Sequence, residues 1–227
     1  MEKEQILIRK IQNGMITEKM DEVALERELV IQLRDGRQIT VACTPTNVEE
    51  LILGRRFLLG DLESVEPETC GARAGAGTST DDGQATGAGA EAISLSDIFR
   101  ITNEMFERPG TLFQDTGCAH CCVLVMDGQV LCSMEDIGRH NALDKVVGYA
   151  IKNQIPRSRC VVFTSGRISG DYLQKVIDAG FQIVVSRAAV TASAVELARQ
   201  EDITMLGFIR KNNGNIYHEG KVSVILD

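Results

Sequence analysis

The chain has 227 residues, enough for one large domain or two small ones, and its 44% hydrophobic and 25% charged residues exclude bulk disorder and collagen-like sequence. Lys plus Arg number 24 against 32 Asp plus Glu, a formal charge of −8. A chain so acidic lacks the surplus cations of a non-specific nucleic-acid binder, while a local basic cluster can still take an anionic small ligand. No apolar run reaches the ~18 residues that span a bilayer, and the opening MEKEQILIRKIQNG has no signal-peptide core. The expected location is therefore the cytoplasm, away from membrane and nucleic acid. Seven cysteines without an export signal are expected to be reduced thiols.

In chain order, ELVIQLRDGRQITVAC reads as two strands around Asp35-Gly36, a hairpin signal. Asn47, with Glu50 three residues on, resembles a capping box that opens a helix stopping near Gly60. A small α+β unit of two or more strands and one helix fits residues 1 to about 65. The stretch GARAGAGTSTDDGQATGAGAEA has nothing large to bury and cannot repay its ordering entropy, so it reads as a flexible loop. Beyond it, Ser94 opens a helix with Leu95, Ile98, Phe99, Met105 and Phe106 on one face, ended by Pro109-Gly110. A second hairpin, CCVLVM and QVLCSM around Asp127-Gly128, leads to a helix from about Arg139 to Asn153. The remainder alternates: CVVFTS, helix DYLQKVIDAG, QIVVS, helix TASAVELARQ, ITMLGFI. That order predicts parallel strands with right-handed crossovers and a ligand at their carboxyl ends.

Three runs carry candidate chemistry. In Thr116-Gly117-Cys118-Ala119-His120-Cys121-Cys122, the pair Cys118 and Cys121 has redox-dithiol spacing, and His120 between them fits a base or an imidazolium that lowers a thiol pKa. A thiolate there can accept sulfur as a persulfide. Cys122 reads as a core strand residue, as do Cys43 and Cys160 in their apolar runs. A structural zinc site needs four ligands and no second C-x-x-C exists, so no metal is assigned. The run from Glu135 to Lys145 places Arg139 and His140 at a helix start, where anions are favoured; a well-capped, exposed helix is the plain alternative. Thr164-Ser165-Gly166-Arg167 and Ser186-Arg187 follow neighbouring strands and would suit a phosphate, although neither is a P-loop.

TGCAHCCVLVMDGQVLCSMEDIGRHNALDKVVGYA, with VVFTSGRIS, IVVSRAAVTASAVELA and GFIRKNNGNIYH further on, resembles the formate dehydrogenase accessory family FdhD from about Glu22 to Tyr217, apart from the Gly/Ala-rich stretch. The resemblance implies an α+β N-terminal domain, here residues 1–69, a loop 70–93 carrying Cys70, and a cytidine-deaminase-like α/β domain over 94–227. It also implies a sulfurtransferase: sulfur from a cysteine desulfurase travels as a cysteine persulfide to the molybdenum cofactor in its bis(molybdopterin guanine dinucleotide) form, before insertion into the formate dehydrogenase catalytic subunit. A homodimer is implied as well, and a guanine nucleotide should act as a partial mimic of the cofactor. The cofactor would lie between the Ser165-Gly166-Arg167 and Ser186-Arg187 loops, Arg139 with His140, and the segment Phe208, Ile209, Arg210, Lys211, Asn212 and Asn213, where Arg210 and Lys211 could pair with phosphates.

One departure stands out. The family's sulfur-carrying motif resembles S-C-G-x-C-G, and here Thr69-Cys70-Gly71-Ala72-Arg73 keeps the first cysteine and places Arg73 at the second. Where the family has T-G-G-x-H-x-A, this chain has the cysteine cluster around His120. Either Cys70 works alone, or the sulfur route has moved to Cys118 and Cys121, or the chain is a divergent paralogue. The first reading makes Cys70 the persulfide carrier, assisted by Cys118, His120 and Cys121. The alternative is a non-catalytic, chaperone-like cofactor binder whose Cys/His cluster holds a metal or senses redox state. The missing glutamate at position 122 and the absent P-C-x-x-C argue against zinc-deaminase chemistry.

Overall fold

Two consecutive hairpins begin the chain. β1 (Lys3–Gln12) and β2 (Met15–Ala24) pair antiparallel in full register, turning at Asn13-Gly14. Both turn residues have positive φ, 53° and 77°, the two-residue turn whose twist matches the strands. β3 (Arg27–Gln32) and β4 (Gln38–Cys43) form the hairpin expected around Asp35-Gly36. Their inner residues Ile31, Leu33, Val41 and Cys43 close a small core with Leu51 of α1 (Val48–Leu58). The computed structural model describes residues 2–62, 92–107 and 110–226, without the side chains of 106 and 107. Cys70, most of the Gly/Ala-rich stretch, Pro109 and the Phe106 side chain thus lie outside the described residues.

The capping box expected at α1 does not form. Asn47 sits in the left-handed region at φ 50° and makes no side-chain cap bond. A capping side chain needs an extended backbone to reach the helix amides, and this conformation turns it away. Glu50 faces the next layer instead, where it pairs with Lys152 at 2.9 Å. The stop is as expected: the amides of Gly60 and Asp61 bond back to the carbonyls of Phe57 and Arg56, the Schellman pattern.

The larger body opens with β5 (Ala92–Ser94), α2 (Leu95–Glu107) and α3 (Thr111–Thr116). The Ser94 hydroxyl accepts the Asp97 amide at 3.2 Å, the expected helix opening. Then come the hairpin β6 (His120–Met126) and β7 (Gln129–Asp136), and α4 (Arg139–Lys152). The alternating run follows: β8 (Cys160–Thr164), α5 (Gly170–Asp178), β9 (Ile183–Ser186), α6 (Ala192–Gln200) and β10 (Thr204–Arg210). β11 (Asn213–His218) and β12 (Ser223–Ile225) end the chain, β12 pairing parallel to β5.

Six strands make one mixed sheet in the order β11-β10-β9-β8-β6-β7, with β8, β9 and β10 parallel as the sequence order predicts. Successive strand residues point to opposite sides, and on the central strands β6, β8 and β9 both sides are buried. Cys122 and Leu124 join α4, α5 and α6 in one core. Cys121, Val123 and Val125 join Ile98 and Ile101 of α2 in the other.

α1 is pressed against α4 by two glycines. A Cβ on Gly54 would lie 1.9 Å from the Asp144 carbonyl oxygen, and one on Gly148 would lie 1.9 Å from that of Glu50. Buried charges flank this crossing. Asp144 takes Arg55 of α1 at 2.5 Å and Lys175 of α5 at 2.8 Å. Asp136 takes Lys145 at 2.7 Å and accepts the amide and hydroxyl of Thr44. Asn141 donates to the Ala42 carbonyl at 2.7 Å. Ion pairs at such depth hold only because each partner is also hydrogen-bonded.

Candidate functional site

The carboxyl ends of β8 and β9 are tied to each other and to β6. Ser165 donates its amide to the Cys121 carbonyl and accepts the Cys121 amide on its hydroxyl, both at 2.9 Å. Ser186, fully buried, donates to the Gly166 carbonyl at 2.7 Å and accepts the Ala188 amide at 2.9 Å. Its hydroxyl therefore braces the two loops, and its one proton is already committed to the Gly166 carbonyl. Gly166 lies between Arg139 and His120: a Cβ there would sit 3.0 Å from the Arg139 Cβ and 3.5 Å from His120 Nδ1.

A cavity of about 540 Å³ opens over these loops. Cys118, His120, Ser165, Arg187 and Arg210 contribute to its wall, and Met105 and Phe113 supply an apolar side. No carboxylate residue lines it among the described residues. Arg210 Nε donates to the Arg187 carbonyl at 3.2 Å, which holds the two side chains' segments together. Burial, and then the Arg210 charge, hold the Arg187 guanidinium below its ordinary range. A wall carrying two such cations is suited to phosphate or another anion. Between Gly207 and Arg210 the β10–β11 register breaks, and Phe208 is left at φ 55°, a strained conformation for a bulky side chain. The bulge re-aims the strand end, and the Arg210 guanidinium carbon lies 5.9 Å from the Phe208 ring centroid.

The strand divides the cysteine cluster and does not gather it at one place. Because β6 begins at His120, the alternation of the strand sends Cys121 into one core and Cys122 into the other. The Cys121 thiol meets Ser133 Oγ at 3.3 Å, and burial pushes it up to about 11. Cys122 is fully buried with its thiol 3.8 Å from the Tyr172 hydroxyl, and burial raises it well above the ordinary thiol range. Cys118 is exposed, on the loop after α3, its amide held by Thr116 Oγ1 at 3.1 Å. The paired dithiol read from the C-x-x-C spacing is thus corrected: one thiol faces solvent and the other is sealed. His120 is half-buried; burial first, then the charges of Arg139 and Arg167, hold its imidazole below the ordinary value. Burial and the two guanidinium charges thus disfavour the imidazolium, one of the two forms that the spacing allows. Among the described residues no group of three or more His, Cys, Asp or Glu is arranged to hold a metal ion.

Residues 60–223 match the sequence profile of the FdhD/NarQ family. The chain belongs to that family. It is 31% identical to the sulfur carrier protein FdhD of Bacillus subtilis, over 91% of this chain and 92% of that one. To the sulfur carrier protein FdhD of Geobacillus kaustophilus it is 28% identical, over 96% of both. In fold it resembles the crystal structure of a candidate formate dehydrogenase accessory protein from Desulfotalea psychrophila, with a TM-score of 0.79 at 24% identity over 96% of this chain and 97% of the other.

The other positions carried over from the FdhD resemblance fall in several places. Of the segment 208–213 only Arg210 lines the cavity. Ile209 is buried in the sheet core, while Phe208, Lys211, Asn212 and Asn213 are exposed around the β10–β11 turn. Arg167 is exposed and is not a wall residue, although its charge acts on His120. Arg139 reaches sideways, Nη2 donating to Ser169 Oγ at 3.2 Å. His140 lies on the α5 side, Nε2 3.3 Å from Asp171 and the ring edge-on to Tyr172 at 5.4 Å. Nothing in the sequence marks Met105 on the apolar face of α2, Phe113, or Ile137 inside the polar run as wall residues, yet all three enter the wall from neighbouring elements. Glu135 opens the polar run singled out in the sequence, but its contact has no sequence signal: its carboxylate accepts the amides of Leu112 and Phe113, both at 3.1 Å, and so fixes the start of α3 and the Cys118 loop beyond it.

Proposed function

We propose that this chain is a sulfurtransferase of the FdhD type: it receives sulfur from a cysteine desulfurase as a persulfide and passes it to molybdenum bis(molybdopterin guanine dinucleotide), the substrate, before that cofactor enters the formate dehydrogenase catalytic subunit. Cys70, which matches the first cysteine of the family's motif, is the carrier in this reading. The observation that carries the proposal is the cavity itself, where Arg187 and Arg210 meet His120 and the exposed Cys118 at the carboxyl edge of the sheet in a member of this family. The guanidinium pair would bind the dinucleotide's phosphates. Ser165 would donate to them, and His120 would move a proton at its free ring nitrogen as sulfur is transferred. The reading includes an α+β N-terminal domain over 1–69, a Cys70-bearing loop over 70–93, a deaminase-like domain over 94–227, a homodimer, and residence in the cytoplasm. The six-stranded mixed sheet and the absence of any described helix long and apolar enough to cross a membrane are compatible with it.

Titration calorimetry with GDP tests the reading. GDP is expected to bind, and Arg187→Ala or Arg210→Ala to weaken it at least about tenfold, since a charge-assisted hydrogen bond contributes about 1.5–3 kcal/mol. GDP that fails to bind, or binds both variants as well as the parent chain, removes the nucleotide from this cavity.

A further inference from the structure

The described cysteines divide by access. Cys43, Cys121, Cys122 and Cys160 are buried and Cys132 is half-buried. Burial raises all five thiols, Cys132 and Cys160 to about 12, so none is a ready thiolate at neutral pH. Cys118 alone among the described cysteines is exposed, and it stands in the wall of the cavity. The surroundings of that thiol point to an anion on separate grounds, because Arg187 and Arg210 share the wall with no carboxylate among its described residues. Reactive thiols occur in electropositive, accessible settings of this kind. The loop is held in place: Gly117 closes α3, Thr116 holds the Cys118 amide, and Glu135 caps α3 from below.

We propose that Cys118 is a sulfane-sulfur acceptor built into the cavity, taking the outer sulfur of a persulfide and holding it as Cys118–S–SH beside the bound nucleotide-bearing substrate. The proposal rests on the sulfur-carrier reading above and adds a second station to it. The Cys118 thiolate attacks the outer sulfur of a donor R–S–SH, the donor being a protein or small-molecule persulfide. A new S–S bond forms as the donor's S–S bond breaks. The donor departs as a thiolate and takes up the proton that Cys118 gave up, leaving R–SH. Sulfur and hydrogen balance, and no external oxidant or reductant is needed. His120, on the same wall and kept in its neutral form, is the base that can carry the proton between the two sulfurs. The guanidinium groups stabilise the persulfide anion formed when Cys118–S–SH then gives up its own proton to His120 or water.

The test uses the full chain with glutathione persulfide as donor, followed by proteolysis and mass measurement of each cysteine peptide. The Cys70→Ser variant is expected to gain one sulfur on the peptide containing Cys118. The variant with both Cys70→Ser and Cys118→Ser is expected to lose that gain, and Cys118→Ala in place of Cys118→Ser guards against a local folding effect. GDP is expected to slow loading at Cys118. A Cys70→Ser chain that takes up no sulfur, or takes it on another cysteine, overturns the proposal. If GDP binds with Arg187 dependence while Cys118 stays unloaded, this inference fails and the sulfur-carrier reading stands. If Cys118 loads but GDP neither binds nor slows it, the acceptor stands and the nucleotide leaves the cavity.

Discussion

His140 shows how far a side chain's neighbours can change its expected role. Placed at a helix start beside Gly138-Arg139, it reads from sequence as a ligand contact, yet the ring packs edge-on to the fully buried Tyr172 and pairs with Asp171. His140→Ala is therefore expected to cost about 1 kcal/mol of stability, the scale of an edge-on ring pair; an unchanged denaturation midpoint would return the residue to the ligand site. His140 and His120 also give the molecule an acid response. Burial is the first cause that holds both below the ordinary histidine value of 6.5. The unfolded chain thus binds protons first as pH falls, so stability is full above about pH 6.5 and declines as acidification proceeds toward the folded-state values. Melting temperatures at about pH 7.5 and about pH 5.5 should show the loss, and replacing both histidines by Asn should flatten it. An equal slope in the double variant would assign the effect to other groups.

Among the elements, those with a full period were legible. The β8-α5-β9-α6-β10 alternation and the Asp35-Gly36 and Asp127-Gly128 hairpins follow from apolar runs and turn residues. The cavity's Ser165 and Arg187 follow too, since ligands gather at the carboxyl ends of parallel strands. Other features had no local signal. α3 spans six residues, less than two turns, and shows no periodicity. β1 and β2 carry the Asn13-Gly14 turn but expose Leu7, Ile11, Ile16 and Met20, so no inward–outward alternation marks them as strands. The burial of Cys121 has no local signal because each face of β6 packs into a core, so a thiol one residue into the strand is sealed whichever side it takes. At this scale Glu135 is the element to test. Glu135→Ala strips two helix-start amides of their acceptor and is expected to cost about 1–3 kcal/mol. Hydrogen exchange at Leu112 and Phe113 should accelerate before that of the sheet; unchanged exchange would mean that water or another group caps α3 as well.

Across the whole molecule, the N-terminal unit and the large sheet are joined through charge as well as packing. Lys145 is fully buried and bonds Asp136, Thr44 and the Glu135 carbonyl, so it spans the join. Lys145→Met would leave Asp136 buried without its cation, a change expected to cost about 3–5 kcal/mol. Since the residues it links belong to both parts, fluorescence and circular dichroism should report one shared unfolding transition in the parent chain. Separate transitions there would show that the two parts fold independently.

The run from Glu135 to Lys145 has a consequence for descent. Glu135 caps α3, Asp136 and Lys145 neutralise each other, Asn141 reaches Ala42, and Asp144 anchors Arg55 and Lys175. Five of the eleven residues in this run are thus employed in holding the molecule together. A gene copy released from sulfur transfer would still be selected to keep them, because their loss destabilises the fold whatever its task. Drift would start instead at exposed positions such as Cys118, and Arg210, whose side chain makes an exposed bond to the Arg187 carbonyl, would follow. A copy that has retired from the chemistry would carry an intact recognition run above a cavity stripped of its thiol and its cations.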